Sequence, residues 1–466
     1  MGCQLTLPIE VIESNYETND VRIEITKELN GVTEQIQSAV FDSNNKASSA
    51  VQNFTEEGTY TIKVDAIDAA GNAALTRTVI FTVDTQAPEI TISGVSNQSA
   101  YKGDVIPGIV INDNYYNTYS VVLTKTGVYL KDGTVDIQSV KDTDVTSNFI
   151  TGMRSVENGV SGQFDTFEKI QSNDGVYTLT VTATDLAGRT TTKSIEFSVN
   201  RYGSVYTFSQ SLLDVRGAYI TGVENDFVIT EYNADRLVED SVNIQIARDG
   251  SLQENMLVSV SDTTDVNRGE SGWYQYTYTI DKENFTKDGV YVVTVTSTDE
   301  AGNHSQTLTY DQLYVRFAID NTKSELVTIT GLDKNSYNAN EIDIKYQVFD
   351  AVGIKEVRVY VNGDEVQRVN EFDDAVNYYG VVTIGEGMDQ YIRFEIEDMA
   401  GNVTDSDNED DIKAGKVAKF SKTVTVSTNF FIRWYSDRVV FYSSIACILG
   451  VIVLIVLVVR RKRSRV

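Results

Sequence analysis

A chain of 466 residues is too long for a single hydrophobic core and suits three or four domains of ordinary size. It is rich in Val, Ile, Thr and Tyr and has only three prolines and two Trp, which favours strands over helices and makes all-β the expected class. The 39 Lys and Arg face 67 Asp and Glu, and five basic residues follow position 459, so residues 1–459 carry a net −33; such a surface repels phosphate backbones and excludes nucleic acid, while cations, basic partners or plain solubility stay compatible with it.

Residues 1–30 contain neither a basic n-region nor an apolar h-region, so an export signal is expected upstream of residue 1. Cys3 lacks the apolar stretch that precedes a lipoprotein cysteine. The other cysteine, Cys447, lies in the apolar tail, so no domain holds an internal disulfide, and exported domains would be stabilised by packing alone, as on a bacterial surface rather than in an endoplasmic reticulum product. Pro8, Val11, Ile12, Asn15 and Tyr16 align with Pro107, Val110, Ile111, Asn114 and Tyr115, but the strand Ile90 to Ile92 that precedes Pro107 has almost no counterpart before Pro8. The first repeat is therefore expected to lack its first strand and expose an edge, and the chain reads as the C-terminal piece of a longer polypeptide.

Four segments end in Asp-x-Ala-Gly followed by Asn or Arg: Asp68 to Asn72, Asp185 to Arg189, Asp299 to Asn303 and Asp398 to Asn402. The Asp residues are 117, 114 and 99 apart, a period that fits one sandwich per repeat. Before each Asp runs an alternating strand: Tyr60, Ile62, Val64; Tyr177, Leu179, Val181, Ala183; Tyr291, Val293, Val295; and Ile392, Phe394, Ile396. Period-two alternation puts these side chains in a core and the intervening ones in water. A second alternating run follows, as in Val79, Phe81, Val83 or Ile195, Phe197, Val199, so the turn closes a hairpin, with Gly and Asn accepting positive φ and Asp bonding nearby amides.

Three repeats place Gly-x-Tyr eight residues ahead of the Asp, at Gly58 and Tyr60, Gly175 and Tyr177, and Gly289 and Tyr291. Here the chain resembles the immunoglobulin superfold. The resemblance implies a tyrosine corner, in which the Tyr hydroxyl bonds backbone and locks a crossover loop, with Ile62, Leu179, Val293 and Ile392 packing where immunoglobulins carry the second core cysteine. The fourth repeat departs from the pattern, with Gln390 at the Tyr position. Its earlier part, Phe349 to Ile354 and then Val357 to Gly363 with a turn at Asn362-Gly363, is similar to bacterial Ig-like surface repeats. The joints are short: Val83 to Pro88, Val199 to Gly203 and Ile319 to Thr322. The expected architecture is all-β: tandem immunoglobulin-like β-sandwiches over 1–84 (N-terminally truncated), 85–199, 200–320 and 321–428, followed by a single C-terminal transmembrane helix. Strands of about eight residues at ~3.3 Å each give modules of roughly 25–30 Å, and four in line reach on the order of 100 Å.

Val439 to Val459 are 21 consecutive uncharged, mostly aliphatic residues, about 31 Å as a helix, the thickness of a bilayer core. Trp434, Tyr435, Phe441 and Tyr442 gather at one edge, and Arg460, Arg461, Lys462, Arg463 and Arg465 follow the other, so residues 439–459 read as one membrane span, 460–466 as a basic cytoplasmic tail and all before it as extracellular.

Candidates for chemistry are few. His304, the one histidine, follows the Gly302-Asn303 turn, so a His-based triad or metal site has no raw material, and neither cysteine supports a nucleophile. No pair of carboxylates is singled out for glycosidase chemistry. Asn112-Asp113-Asn114 offers oxygens that would suit calcium, though the aligned Glu13-Ser14-Asn15 keeps fewer ligands; an ordinary Asx turn is the preferred reading, and no cofactor or metal ligand is assigned. Trp273, Tyr274, Tyr276 and Tyr278 could stack a sugar, but Tyr274, Tyr276 and Tyr278 share one strand face, which points to packing. The expectation is a non-enzymatic cell-surface stalk or adhesin-like ectodomain with an extracellular protein or glycan as its open class of ligand. The alternative is an accessory region of a larger surface enzyme, for example a carbohydrate-active one, whose catalytic domain lies upstream.

Overall fold

The computed structural model describes residues 5–12, 20–38, 47–130, 137–261, 272–307 and 315–463. The strands form four sets of paired sheets, each around its own core, and one apolar helix ends the chain.

The second set shows the plan. Strand Gly175–Asp185 buries Tyr177, Leu179, Val181 and Ala183 on one face. On the other, Thr180, Thr182 and Thr184 bond across to Ser194, Thr192 and Thr190 at 2.9, 3.1 and 2.9 Å. The threonine run is thus a cross-strand ladder on the wet side of a half-buried sheet. Gly175–Asp185 sits between Tyr116–Leu130 and Thr190–Val199, and the facing sheet is built on Gly159–Phe164 and Gly108–Asn112, the latter paired with Glu89–Ser93. After Glu89–Ser93 the chain crosses to the other sheet, where Ser99–Tyr101 pairs parallel to Thr190–Val199. The same parallel closure recurs as Tyr219–Ile220 on Val315–Ile319 and Ser336–Tyr337 on Thr423–Val426. In the first set, Leu5–Ile12 pairs with Ala47–Phe54 and occupies the place that Gly108–Asn112 holds in the second, but among the described residues no strand lies on its other edge.

The tyrosine corners are present. Tyr60, Tyr177 and Tyr291 are buried, and their hydroxyls donate to the carbonyls of Glu56, Asn173 and Lys287 at 2.9, 2.6 and 2.8 Å, in each case four residues upstream. The paired glycine has a steric reason. At Gly58 (φ +152°) a Cβ would lie 2.6 Å from Lys27 Cγ, and at Gly289 (φ +142°) 2.8 Å from Arg248 Cγ, because a long basic side chain from the neighbouring strand lies over it. Gln390 keeps the function with other chemistry: its buried amide donates to the carbonyl of Gly385 at 3.0 Å. With two packed sheets, a buried aliphatic at Ile62, Leu179, Val293 and Ile392, and these corners, the sets are immunoglobulin-like β-sandwiches.

The Asp-x-Ala-Gly turns close hairpins in all four sandwiches: Asp68, Asp185, Asp299 and Asp398 accept the backbone N–H of the residue four positions on at 2.7 to 2.8 Å. In the first, Val79 is nonetheless exposed and only Phe81 and Val83 turn inward. Asn362 and Gly363 both take positive φ (+56° and +90°) in the tight turn between Ile354–Val361 and Asp364–Val369. Three short α-helices interrupt the β pattern among the described residues, Thr146–Phe149, Gln210–Val215 and Glu409–Lys413, the last capped by the Asn408 side chain. The last helix, Arg438–Arg463, is long and apolar enough to cross a membrane, and none of its apolar stretch is buried against the sandwiches.

Candidate functional site at the sandwich joints

Residues that lie about a hundred positions apart in sequence meet at each joint. The joint residue (Asp84, Asn200 or Asp320), an Asp just after the third strand of the next sandwich (Asp113, Asp235 or Asp350), and the Asp of the turn (Asp185, Asp299 or Asp398) form one cluster each time. The last residue of the turn reaches back to the joint, so the Ala-Gly-Asn element is a clasp as well as a hairpin closure. Asn303 donates from Nδ2 to the carbonyl of Asn200 at 2.9 Å, and Asn402 donates to that of Asp320 at 3.0 Å.

The clusters differ in how their acidity is offset. At the first joint Arg189 stands in place of Asn and its guanidinium pairs with both Asp84 and Asp185, the latter at 2.8 Å. Burial and the neighbouring Asp84, Asp185 and Glu57 still push the Asp113 carboxyl upward. At the second joint a neutral amide takes the centre: Asn200 Nδ2 faces Asn233 Oδ1, Asp235 Oδ2 and Asp299 Oδ2 at 2.9, 2.9 and 3.0 Å. At the third, Asp320, Asp350 and Asp398 are 1%, 3% and 0% exposed, and each offers an oxygen within 4.8 Å of the others. Burial, then Asp350 and Asp398, push Asp320 up to about 7, and burial foremost raises Asp398.

The second joint is also packed. Val128, Val176, Val205, Ala234 and Trp273 form an apolar cluster spanning two sandwiches, and Trp273 Nε1 donates to the carbonyl of Thr126 at 3.2 Å. Gly272 (φ +77°) permits the approach, since a Cβ there would lie 1.9 Å from Thr126 Cγ2. Arg201 and Tyr202 donate their backbone N–H groups to Asp174 at 2.8 and 2.7 Å, and burial pushes Asp174 up to about 6. At the third joint Asp288 holds Asn321 and Thr322 of the linker through bonds of 2.9 and 2.5 Å.

The residues singled out from sequence fall as follows. His304 is exposed, with Nδ1 3.2 Å from the Thr298 hydroxyl, and is not among the groups that could hold a metal. Cys3 lies outside the described residues, as do Glu13, Ser14 and Asn15, and Cys447 is exposed on the apolar helix. Asp113 of the Asn112-Asn114 loop holds an Asx turn, accepting the N–H of Tyr115 at 2.6 Å, in the cluster that Arg189 neutralises. Tyr276 and Tyr278 are core residues and Trp273 belongs to the joint; Tyr274 is half-buried beneath Arg236, 5.4 Å from the ring centre. Sequence reasoning missed Glu231, a fully buried carboxylate that accepts hydroxyls from Ser204, Tyr206, Tyr278 and Ser297. Its one signal was an acid at an inward position of the alternating strand Phe227–Asn233.

No family model and no curated protein matches the chain. Among solved structures it is similar to a tetra-tandem repeat in the extending region of a large adhesion protein, with 18% identity over 87% of this chain and 93% of that one and a TM-score of 0.34. It is also similar to a marsupial T cell receptor, at 11% identity over 66% and 95% with a TM-score of 0.23. A third is a Bacteroides ovatus glucan-utilization protein in complex with a mixed-linkage heptasaccharide, at 12% identity over 74% and 71% with a TM-score of 0.15.

Proposed function

We propose that the chain is a non-catalytic cell-surface stalk or adhesin-like ectodomain, a row of sandwiches held outside the membrane by the helix Arg438–Arg463. The observation that carries this reading is the construction of the joints. Linkers of a few residues are bonded to the sandwiches on either side, with Arg189, Asn303 and Asn402 acting across the boundaries and Trp273 packed between two sandwiches. Buried, hydrogen-bonded joints resist bending, whereas a chain of independent modules would be linked by exposed polar segments. Support for the anchor comes from the exposed aliphatic surface of the helix, the Trp434–Phe441 ring contact at 4.8 Å on its outer edge and the basic cluster after Val459.

Protease treatment of intact cells tests this. The sandwiches should be removed from outside, leaving a short C-terminal fragment in the membrane fraction. Full protection in intact cells, with the chain recovered in the soluble fraction, would overturn the proposal.

A further inference from the structure

The three joints place equivalent residues in the same cluster, and two of them carry a built-in donor at its centre: the guanidinium of Arg189 and the amide of Asn200. The third has neither. Among the described residues, no Lys or Arg pairs with Asp320, Asp350 or Asp398, and Lys323, next along the chain, is committed to Asp411 at 2.8 Å. The protein's own donors satisfy only part of the set. Asp350 accepts the N–H groups of Val352 and Gly353 and the Ser324 hydroxyl, and Asp398 accepts from Ala400 and Asn402. Asp320 accepts the N–H of Thr322 through one oxygen, while its Oδ2, fully buried, has no partner at all. Three adjoining carboxylates and an orphaned buried oxygen in a buried joint are costly unless a positive charge joins them.

The spacing states which charge. Oxygens bound to one calcium ion at ~2.3–2.6 Å lie no more than about 5 Å apart, and the three carboxylates supply oxygens within 4.8 Å of one another. A set of three hard anionic oxygens from three separate backbone segments also suits the loose geometry of calcium better than the strict octahedron of magnesium. We propose that the joint between the third and fourth sandwiches binds one calcium ion through Asp320, Asp350 and Asp398, and that the ion does there what Arg189 and Asn200 do at the other two joints. This goes beyond the surface-stalk reading and stands without it.

The test uses the full chain in detergent micelles, stripped with chelator and titrated with calcium chloride by calorimetry near pH 7.5. A saturable event at one ion per chain with Kd on the order of 10⁻⁴ M is expected, with a higher melting midpoint at millimolar calcium. Asp320→Asn copies the residue found at the second joint, and Asn402→Arg copies that at the first; each should lose this event and its melting shift, whatever weaker binding the acidic surface retains. Two variants are needed because either one alone could disturb folding, which circular dichroism would register. No saturable binding by the parent chain, an undiminished event in both folded variants, or an equal response to magnesium would overturn the assignment.

Discussion

Replacing Trp273 by Ala tests whether the second and third sandwiches behave as one body. The indole is fully buried between them, against Val128, Val176, Val205 and Ala234, and its N–H bonds the carbonyl of Thr126. Burial of roughly 200 Å² at about 25 cal/mol per Å² contributes about 5 kcal/mol. Ala retains about 2 kcal/mol of that, and loss of the hydrogen bond adds about 1 kcal/mol, so a cost of about 4 kcal/mol is expected, in the usual range for Trp→Ala. For two coupled sandwiches of this size that is a fall in midpoint of roughly 8–16 °C. Scanning calorimetry of the parent should show the two melting as one transition, and Trp273→Ala should separate them as well as lower them. A variant whose transitions stay coupled within 2 °C of the parent, as a rough threshold, would refute the idea that this joint is a shared core.

Tyr177→Phe removes the hydroxyl that bonds the Asn173 carbonyl and should destabilise the second sandwich by about 1–2 kcal/mol in chemical denaturation, with the fold intact. Gly272→Ala should cost more than an exposed Gly→Ala change, because its Cβ meets Thr126 and its φ is +77°; comparison with Gly71→Ala, which also has positive φ but open space, isolates the clash in thermal melts. Burial raises the Glu231 carboxyl above its ordinary value of 4.5 despite four hydroxyl donors, so its contribution is full at acid pH and declines as pH rises through the raised folded value; Glu231→Gln should flatten that slope in melts recorded across pH. Asp320 behaves alike without calcium: its folded pKa of about 7 lies above the ordinary 3.8, so stability at the third joint is present below pH 3.8 and is lost as pH rises through about 7. Added calcium should remove that loss above pH 7, as read by melting with and without chelator.

The sandwiches were legible because their signals are local. Alternation at Tyr177, Leu179, Val181 and Ala183, the Gly-x-Tyr corner and the Asp-x-Ala-Gly turn each lie within a dozen residues, and all three have the structural meaning the sequence suggests. Gln390 shows where a residue-type signal fails while the role persists, since an amide donor reaches backbone as a phenol does. The joints were not legible, because their partners are distant: Arg189 and Asp84 are 105 residues apart, Asn402 and Asp320 82, and Trp273 and Thr126 147. Read along its strand, Trp273 belongs with the tyrosines that follow it, whereas the chain's path turns it into the joint. Asn112 to Asn114, for which an Asx turn is preferred over calcium, do hold that turn in a loop equivalent to that of Asp350; what sequence did not reveal is that Arg189, 75 to 77 positions away, pairs with Asp84 and Asp185 in the same cluster.

Electron microscopy of the full chain in lipid nanodiscs, with millimolar calcium, addresses the whole account at once. The sandwiches should stand in one nearly straight row projecting roughly 100 Å from a single disc. Particles with the modules bent at random angles to one another, or a chain that does not enter the disc, would contradict it.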